Sequence, residues 1–161
     1  MPKLIKNGTT EAFHWQILRD SDAVSATDLN SGQYLIPLND WLAAPTPSRN
    51  VGVWLAIDTQ PEELTKALKN LETIAIEFGS FMDGRGFSLA HILREDCDFS
   101  GELQAAGGFM QDQLFYLKRC GFNAFVVPDD ADTDSMLASL GDFSDSYQAA
   151  CDEPRPLFRR R

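Results

Sequence analysis

The loop at residues 81–88 carries the side chains best suited to hold an anion. It reads FMDGRGFS, with Asp83 and Arg85 set among glycines just ahead of a predicted helix that Ser88 would cap. Free backbone N–H groups, the positive end of a helix and a guanidinium together attract phosphate, sulfate or a carboxylate. In the alternative interpretation, Asp83 and Arg85 pair with each other and the glycines only permit the turn. The loop matches neither the P-loop nor the dinucleotide-binding pattern, so no nucleotide cofactor is expected.

A second loop, at Gly107-Gly108, opens the predicted helix that carries Asp112 and Gln113. Glycines there let a ligand approach the backbone closely, although they also suit a plain tight turn. Both loops are expected beyond the carboxyl ends of parallel strands, where α/β sheets bind ligands. The residues expected to bind an anion are Arg85, Gly86, Ser88 and Gly107. An enzyme at this edge would use Arg85 as a clamp, Asp83 or Asp112 as acid or base, and Gln113 to orient the substrate.

The remaining reactive residue types do not form a recognisable set. His14 and His91 are not placed for catalysis, and no Ser/His/Asp arrangement can be assembled. Three cysteines, Cys97, Cys120 and Cys151, are too few and too scattered for a disulfide framework or a CxxC metal site. We therefore predict neither a metal nor a bound cofactor.

The elements that must position these loops alternate along the chain. Apolar runs predict strands at residues 34–38, 51–57, 73–78, 102–106 and 122–127, and amphipathic segments predict helices at 41–44, 61–71, 88–95, 109–120 and 134–140. The strand positions Val53, Ile76, Leu103 and Phe125 recur at intervals of 23, 27 and 22 residues, the length of a βα unit with tight loops. We expect an α/β fold with a mostly parallel sheet of about five βα units. An open three-layer sheet is preferred, and a half TIM-barrel is the alternative.

The chain is expected to form a single α/β domain with an appendage at each end. Residues 1–30 should form a small hairpin, in which residues 3–6 turn at Asn7-Gly8 and residues 12–18 return as the partner strand. The βα core spans residues 33–141. Residues 142–161 hold an acidic segment and an arginine-rich tail, which lie outside the core. Three aromatic residues there, Phe143, Tyr147 and Phe158, favour docking or a homodimer contact.

The net charge of the chain argues against nucleic acids as partners. The 161 residues include 24 acidic and 14 basic side chains, for a formal net charge of −10. Such a surface repels phosphate backbones, so nucleic-acid binding is not expected. No apolar run reaches the roughly 20 residues that span a bilayer, and the amino end lacks the apolar stretch of a signal peptide. We expect a cytoplasmic protein.

Two long segments carry a family resemblance: DGRGFSLAHILRE at residues 83–95 and GELQAAGGFMQDQLFYLKRCGFNAF at residues 101–125. With MPKLIKNG, YLIPLNDWL and VGVWLAID, they resemble a bacterial family of unknown function, typically encoded beside assimilatory sulfite reductase and often described as oxidoreductases. The residues shared with it are Asp83, Gly84, Arg85, Gly86, Ser88, Gly107, Asp112, Gln113, Lys118, Arg119, Cys120 and Gly121. The chain departs from the pattern at Gln104, Gly108 and Gln111, where members usually have Arg, Asp and Arg.

The resemblance implies a role in the reduction of sulfite, with sulfite reductase or its electron donor as partner. We therefore expect first an accessory protein that assists electron delivery to the reductase or its stability. The second hypothesis is a small enzyme that acts on an anionic substrate at the strand ends. The third is an oligomeric scaffold without a catalytic role.

Overall fold

The computed structural model describes residues 1–45, 49–80, 82–141, 150–151, 153–155 and 159. The strands found there are β1 Lys3–Lys6, β2 Thr9–Ala12, β3 Gln16–Ile17, β4 Tyr34–Pro37, β5 Val51–Ala56, β6 Thr73–Phe78, β7 Glu102–Gly107 and β8 Ala124–Val127. The helices are α1 Ser21–Ala26, α2 Leu38–Ala43, α3 Arg85–Glu95, α4 Leu114–Arg119 and α5 Thr133–Ser139, with 3-10 turns at Pro61–Glu63, Lys66–Asn70 and Gln111–Gln113. No helix in these ranges is long and apolar enough to cross a membrane.

All the strands join one curled sheet in the order β2-β1-β8-β7-β6-β5-β4-β3. The pairs from β3 to β8 are all parallel, whereas β1 pairs antiparallel with both β8 and β2. The α/β class, the mostly parallel sheet and the amino-terminal hairpin are therefore confirmed. Of the two expected sheet arrangements, the structure has the half-barrel and not the open three-layer sheet. A doubly wound sheet reverses its strand order at a switch point, whereas here consecutive parallel strands are always neighbours.

The parallel strands are apolar on both faces because both faces are covered. Ile74 and Ile76 of β6 are fully buried in the main core, which also takes in Leu89 and Leu93 of α3. Ala75, between them, faces the opposite side of the sheet and belongs to a second, smaller cluster. Near-continuous apolar runs are typical of strands buried on both faces.

A short crossing segment, Phe13–Trp15, covers the concave face. It links β2 at one edge of the sheet to β3 at the other, and Phe13 is 9% exposed. Of the partner strand expected at residues 12–18, only Ala12 pairs with β1, and the rest of that expectation is wrong. Asn7 and Gly8 form a two-residue turn with φ of 52° and 76°, so pairing with β1 begins at once at Thr9 and ends at Ala12.

Two predicted helices differ in form. The stretch at 61–71 makes two 3-10 turns because Thr65 is extended, yet Leu64, Leu68 and Leu71 are still buried. Helix α3 begins at Arg85, so Ser88 does not cap it; the Asp83 carboxylate accepts the Arg85 backbone N–H instead. The helix predicted at 109–120 is a 3-10 turn followed by α4.

Several sequence expectations lie outside the described residues. They concern Phe81 of the first loop, and Phe143, Tyr147, Phe158, Arg160 and Arg161 of the carboxyl-terminal segment.

We predict that Phe13→Ala lowers the free energy of unfolding by about 3 kcal/mol, the usual cost of deleting a buried phenylalanine ring. The side chain packs in the second cluster with Leu4, Leu35, Ala75 and Ala124. Urea unfolding measures the change. The control is His14→Ala, an exposed neighbour in the same segment, which should leave the unfolding midpoint unchanged. Equal midpoints for the two variants would contradict the structural role of the crossing segment.

Candidate functional site

Asp83 and Arg85 of the first predicted loop form an ion pair with each other, as the alternative interpretation of that loop expects. Arg85 Nη2 donates to Asp83 Oδ2 at 2.6 Å, and Arg85 Nε donates to Oδ1 at 3.0 Å. This contact lowers the pKa of Asp83 and raises that of Arg85. The Arg85 side chain is 61% exposed. Its guanidinium is thus occupied by a carboxylate two residues away.

The glycines and glutamine of these loops have structural partners. A Cβ at Gly86 would lie 2.6 Å from the ring of Phe78, and one at Gly107 would lie 2.3 Å from the Phe78 carbonyl oxygen. Gln113 Oε1 accepts the Met110 N–H at 2.9 Å and so caps its own 3-10 turn. Asp112 is exposed in that turn, and Ser88 is exposed on α3. Anion binding by this set stays a prediction.

The positions that depart from the family pattern do not gather at one place. Gln104 is fully buried within β7, where its Nε2 donates to Glu102 Oε1 at 2.6 Å. Gln111 ties its loop to α5 through Ser135 and Ser139, at 2.7 and 2.9 Å. Gly108 packs against the loop after β6. We therefore find them in three separate structural roles.

The carboxyl ends of β4 and β5 hold a cleft of about 230 Å³. Its polar side chains are Asn39, Asp58, Thr59 and Glu63. Two carboxylates and no cation line it, so this cleft is unsuited to an anion.

The amino ends of β7 and β8 border a larger cavity of about 700 Å³, here called the amino-end cavity. It is lined by Lys6, Asn7, Gly8, Arg94, Phe99, Ser100, Lys118, Gly121, Phe122, Asn123, Phe125, Leu137, Leu140, Gly141 and Cys151. The walls are aromatic and aliphatic, and the charged groups are all cations. Ligand pockets commonly combine apolar walls with a few such polar groups.

Arg94 is the best-held cation of this cavity. Its Nε donates to the Gly121 carbonyl at 2.9 Å, and its Nη1 donates to the carbonyls of Phe99 and Gly101 at 2.8 and 3.0 Å. The Phe99 ring lies 5.1 Å from the guanidinium carbon. Gly121, at φ +114°, makes room for this arginine, since a Cβ there would lie 2.6 Å from Arg94 Cγ. The guanidinium is therefore fixed in direction by neutral acceptors.

No carboxylate among the described residues pairs with Arg94. Burial accordingly lowers its pKa, although an arginine stays charged at any physiological pH. A desolvated cation without a counter-ion is costly, and an anion in the cavity would offset that cost.

The other two cations differ in their partners. Lys6 Nζ already contacts Glu102 at 2.7 Å and Glu11 at 3.4 Å, which raises its pKa. Lys118 is exposed and makes no ion pair with any residue that the structure describes. Among the residues that the structure describes, Arg94 and Lys118 are thus the cavity cations without a carboxylate partner. The net charge of −10 is largely screened beyond about 8 Å at physiological salt, so these nearby cations dominate in the cavity.

Cys151 lies at the margin of the amino-end cavity beside two side chains of α3. Its Sγ is 3.5 Å from His91 Nδ1, and a Glu95 carboxylate oxygen lies within 4.8 Å of the same sulfur. Burial, with the nearby Glu95 carboxylate, raises the pKa of Cys151 to about 11. The thiol is therefore protonated at neutral pH and is not poised as a nucleophile.

Sequence reasoning missed the amino-end cavity because its charged residues come from three distant segments. Only Lys118 and Gly121 were among the residues shared with the family. Sequence reasoning also did not bring together His91, Glu95 and Cys151. The one local signal for that group was the four-residue spacing of His91 and Glu95, which places both on one side of a helix.

We predict that Arg94→Met lowers the free energy of unfolding by about 2 kcal/mol, because three carbonyls lose a charged donor. Urea unfolding provides the test. The matched control is Arg85→Met on the same helix, which removes an exposed guanidinium and should leave the midpoint unchanged. A midpoint for Arg94→Met equal to that of the control would show that the carbonyl contacts do not hold this region together.

Comparison with known proteins places the chain in a family. No curated protein and no solved structure matches it. Residues 52–158 match the family described as "Bacterial protein of unknown function (DUF934)". That range takes in all but the first residue of β5, then β6 to β8, α3 to α5 and most residues of the amino-end cavity. The chain therefore belongs to the DUF934 family of bacterial proteins.

Proposed function

We propose that this protein binds an anionic small molecule in the amino-end cavity and serves as an accessory protein of assimilatory sulfite reduction. The observation that carries the binding proposal is Arg94. It is a desolvated guanidinium held by three carbonyls, in a cavity of about 700 Å³ whose described lining contains no carboxylate. The metabolic setting rests on the resemblance to proteins encoded beside sulfite reductase.

The cavity favours an organic anion over a bare oxyanion. Its volume lies in the range that holds a drug-sized ligand. The partly buried side chains of Leu137 and Leu140 offer apolar contact, while Arg94 and Lys118 offer charge. A sulfur oxyanion on an aromatic carrier, such as adenosine phosphosulfate, matches both features. Sulfite alone would leave most of the apolar wall without contact.

A thermal-shift panel tests the proposal with sulfite, sulfate, phosphate and adenosine phosphosulfate. A ligand that binds only the folded state adds about 2.7 kcal/mol at a concentration of 100 Kd. We expect adenosine phosphosulfate to raise the melting temperature most.

Lys118→Glu should weaken the binding of adenosine phosphosulfate at least tenfold, because one charge-assisted contact contributes about 1.5–3 kcal/mol. Lys69→Glu makes the same charge change at an exposed site outside the cavity and is the matched control. Equal loss of affinity in both variants would indicate only a general charge effect and would overturn the cavity assignment.

The alternative hypothesis, an enzyme with its site at the strand ends, predicts a different pattern of thermal shifts among the variants. If Arg85 clamps the substrate, Arg85→Ala abolishes the thermal shift while Lys118→Glu keeps it. The reverse pattern supports the amino-end cavity. Because Arg85 is already paired with Asp83, we expect Arg85→Ala to bind like the unaltered protein.

The accessory role is tested by a pull-down of sulfite reductase with the purified protein at low salt. We expect association that weakens as salt rises, since a net charge of −10 gives the surface a long electrostatic reach at low ionic strength. An absence of association at low salt would count against the accessory role and leave the anion-binding proposal to the thermal-shift panel.

A further inference from the structure

Three side chains with different donor atoms converge at the margin of the amino-end cavity. They are His91 and Glu95, one turn apart on α3, and Cys151, from the segment that follows α5. One ligand atom from each lies within 4.8 Å of the others. The backbone N–H of Cys151 donates to the Arg119 carbonyl at 3.2 Å, which holds the cysteine against the end of α4.

We propose that His91, Glu95 and Cys151 bind a divalent transition-metal ion of the zinc type. The distance between Cys151 Sγ and His91 Nδ1 is 3.5 Å. A tetrahedral zinc ion with its usual bonds of about 2.3 Å to sulfur and 2.0–2.1 Å to nitrogen sets these atoms about 3.5 Å apart. The two donors therefore already stand at the separation that one shared ion requires.

The donor set selects the class of metal. A thiolate and an imidazole favour zinc or cobalt, whereas magnesium and calcium prefer sites made only of oxygen. On binding, the ion takes the place of the Cys151 thiol proton, which leaves to solvent. The Cys151 thiolate and the Glu95 carboxylate then supply two negative charges that balance a divalent cation. Three protein ligands leave one tetrahedral position for water or for a ligand.

The same three residues do not form a nucleophilic triad. In such a triad the carboxylate orients the imidazole and the imidazole takes the thiol proton. Among the described residues, the His91 imidazole has a hydrogen bond to Cys151 Sγ and none to the Glu95 carboxylate. One ligand atom of each side chain lies within 4.8 Å of the other two, which suits a shared ion.

Cobalt titration of chelator-treated protein under reducing conditions tests the site. We expect one cobalt ion per chain, with the visible bands of tetrahedral cobalt and a thiolate-to-cobalt charge-transfer band, both removed by added zinc. Cys151→Ser should abolish the charge-transfer band. His91→Ala should weaken cobalt binding at least about 100-fold, since even outer-shell changes cost 10–100-fold.

The control is His14→Ala, which removes the chain's other histidine and should leave the cobalt spectrum unchanged. Melting curves without metal establish that the variants are folded. We expect the His91 variant to fold because this side chain is exposed. A missing charge-transfer band in the unaltered protein, or the same band in Cys151→Ser, overturns the proposal. The readout needs no anion, so it succeeds or fails independently of the proposed function.

Discussion

The closure of the sheet by residues 13–15 is the constraint on which the rest of the structure depends. In a flat sheet, seven strand intervals of about 4.8 Å would set β2 and β3 about 34 Å apart. The chain from Ala12 to Gln16 spans at most about 14 Å. These strands lie at opposite edges of one sheet, so the sheet must curl until its edges approach each other. Phe13 then fills the concave side, against alanines at 75 and 124 that are small enough to admit it.

The curl leaves the two ends of the strands as the places where a ligand can bind. The helices cover the convex face, and the crossing segment with Trp15 and Trp54 covers much of the concave face. At the carboxyl ends of β6 and β7 the loops are tightly packed, as Gly107 against Phe78 shows, and the cleft at the ends of β4 and β5 is lined by carboxylates. At the amino ends the β1–β2 turn, the ends of α3 and α4, and Cys151 surround an open volume instead.

The two arginines of α3 show how position decides the use of one residue type. Arg85 is exposed at the helix start, and Asp83 satisfies it within the same loop. Arg94 lies near the helix end and reaches carbonyls of residues 99, 101 and 121 instead. An exposed ion pair contributes little to the free energy of unfolding. Its cation is already neutralised by its partner, so it attracts a further anion only weakly. A partly buried guanidinium with neutral acceptors keeps its charge available, and so the cavity proposal rests on Arg94 and not on Arg85.

The sequence by itself determined the features that depend on neighbours along the chain. The strand Thr73–Phe78 was predicted to the residue because burial on both faces favours a near-continuous apolar run, and the Asp83–Arg85 pair needs only two-residue spacing. Tertiary structure alone decided the curl of the sheet, the path of residues 12–18, and the approach of Cys151 to His91 across 60 residues. Such contacts depend on strand order and sheet curvature. Neither leaves a periodic pattern in the sequence, because they follow from how whole elements pack together.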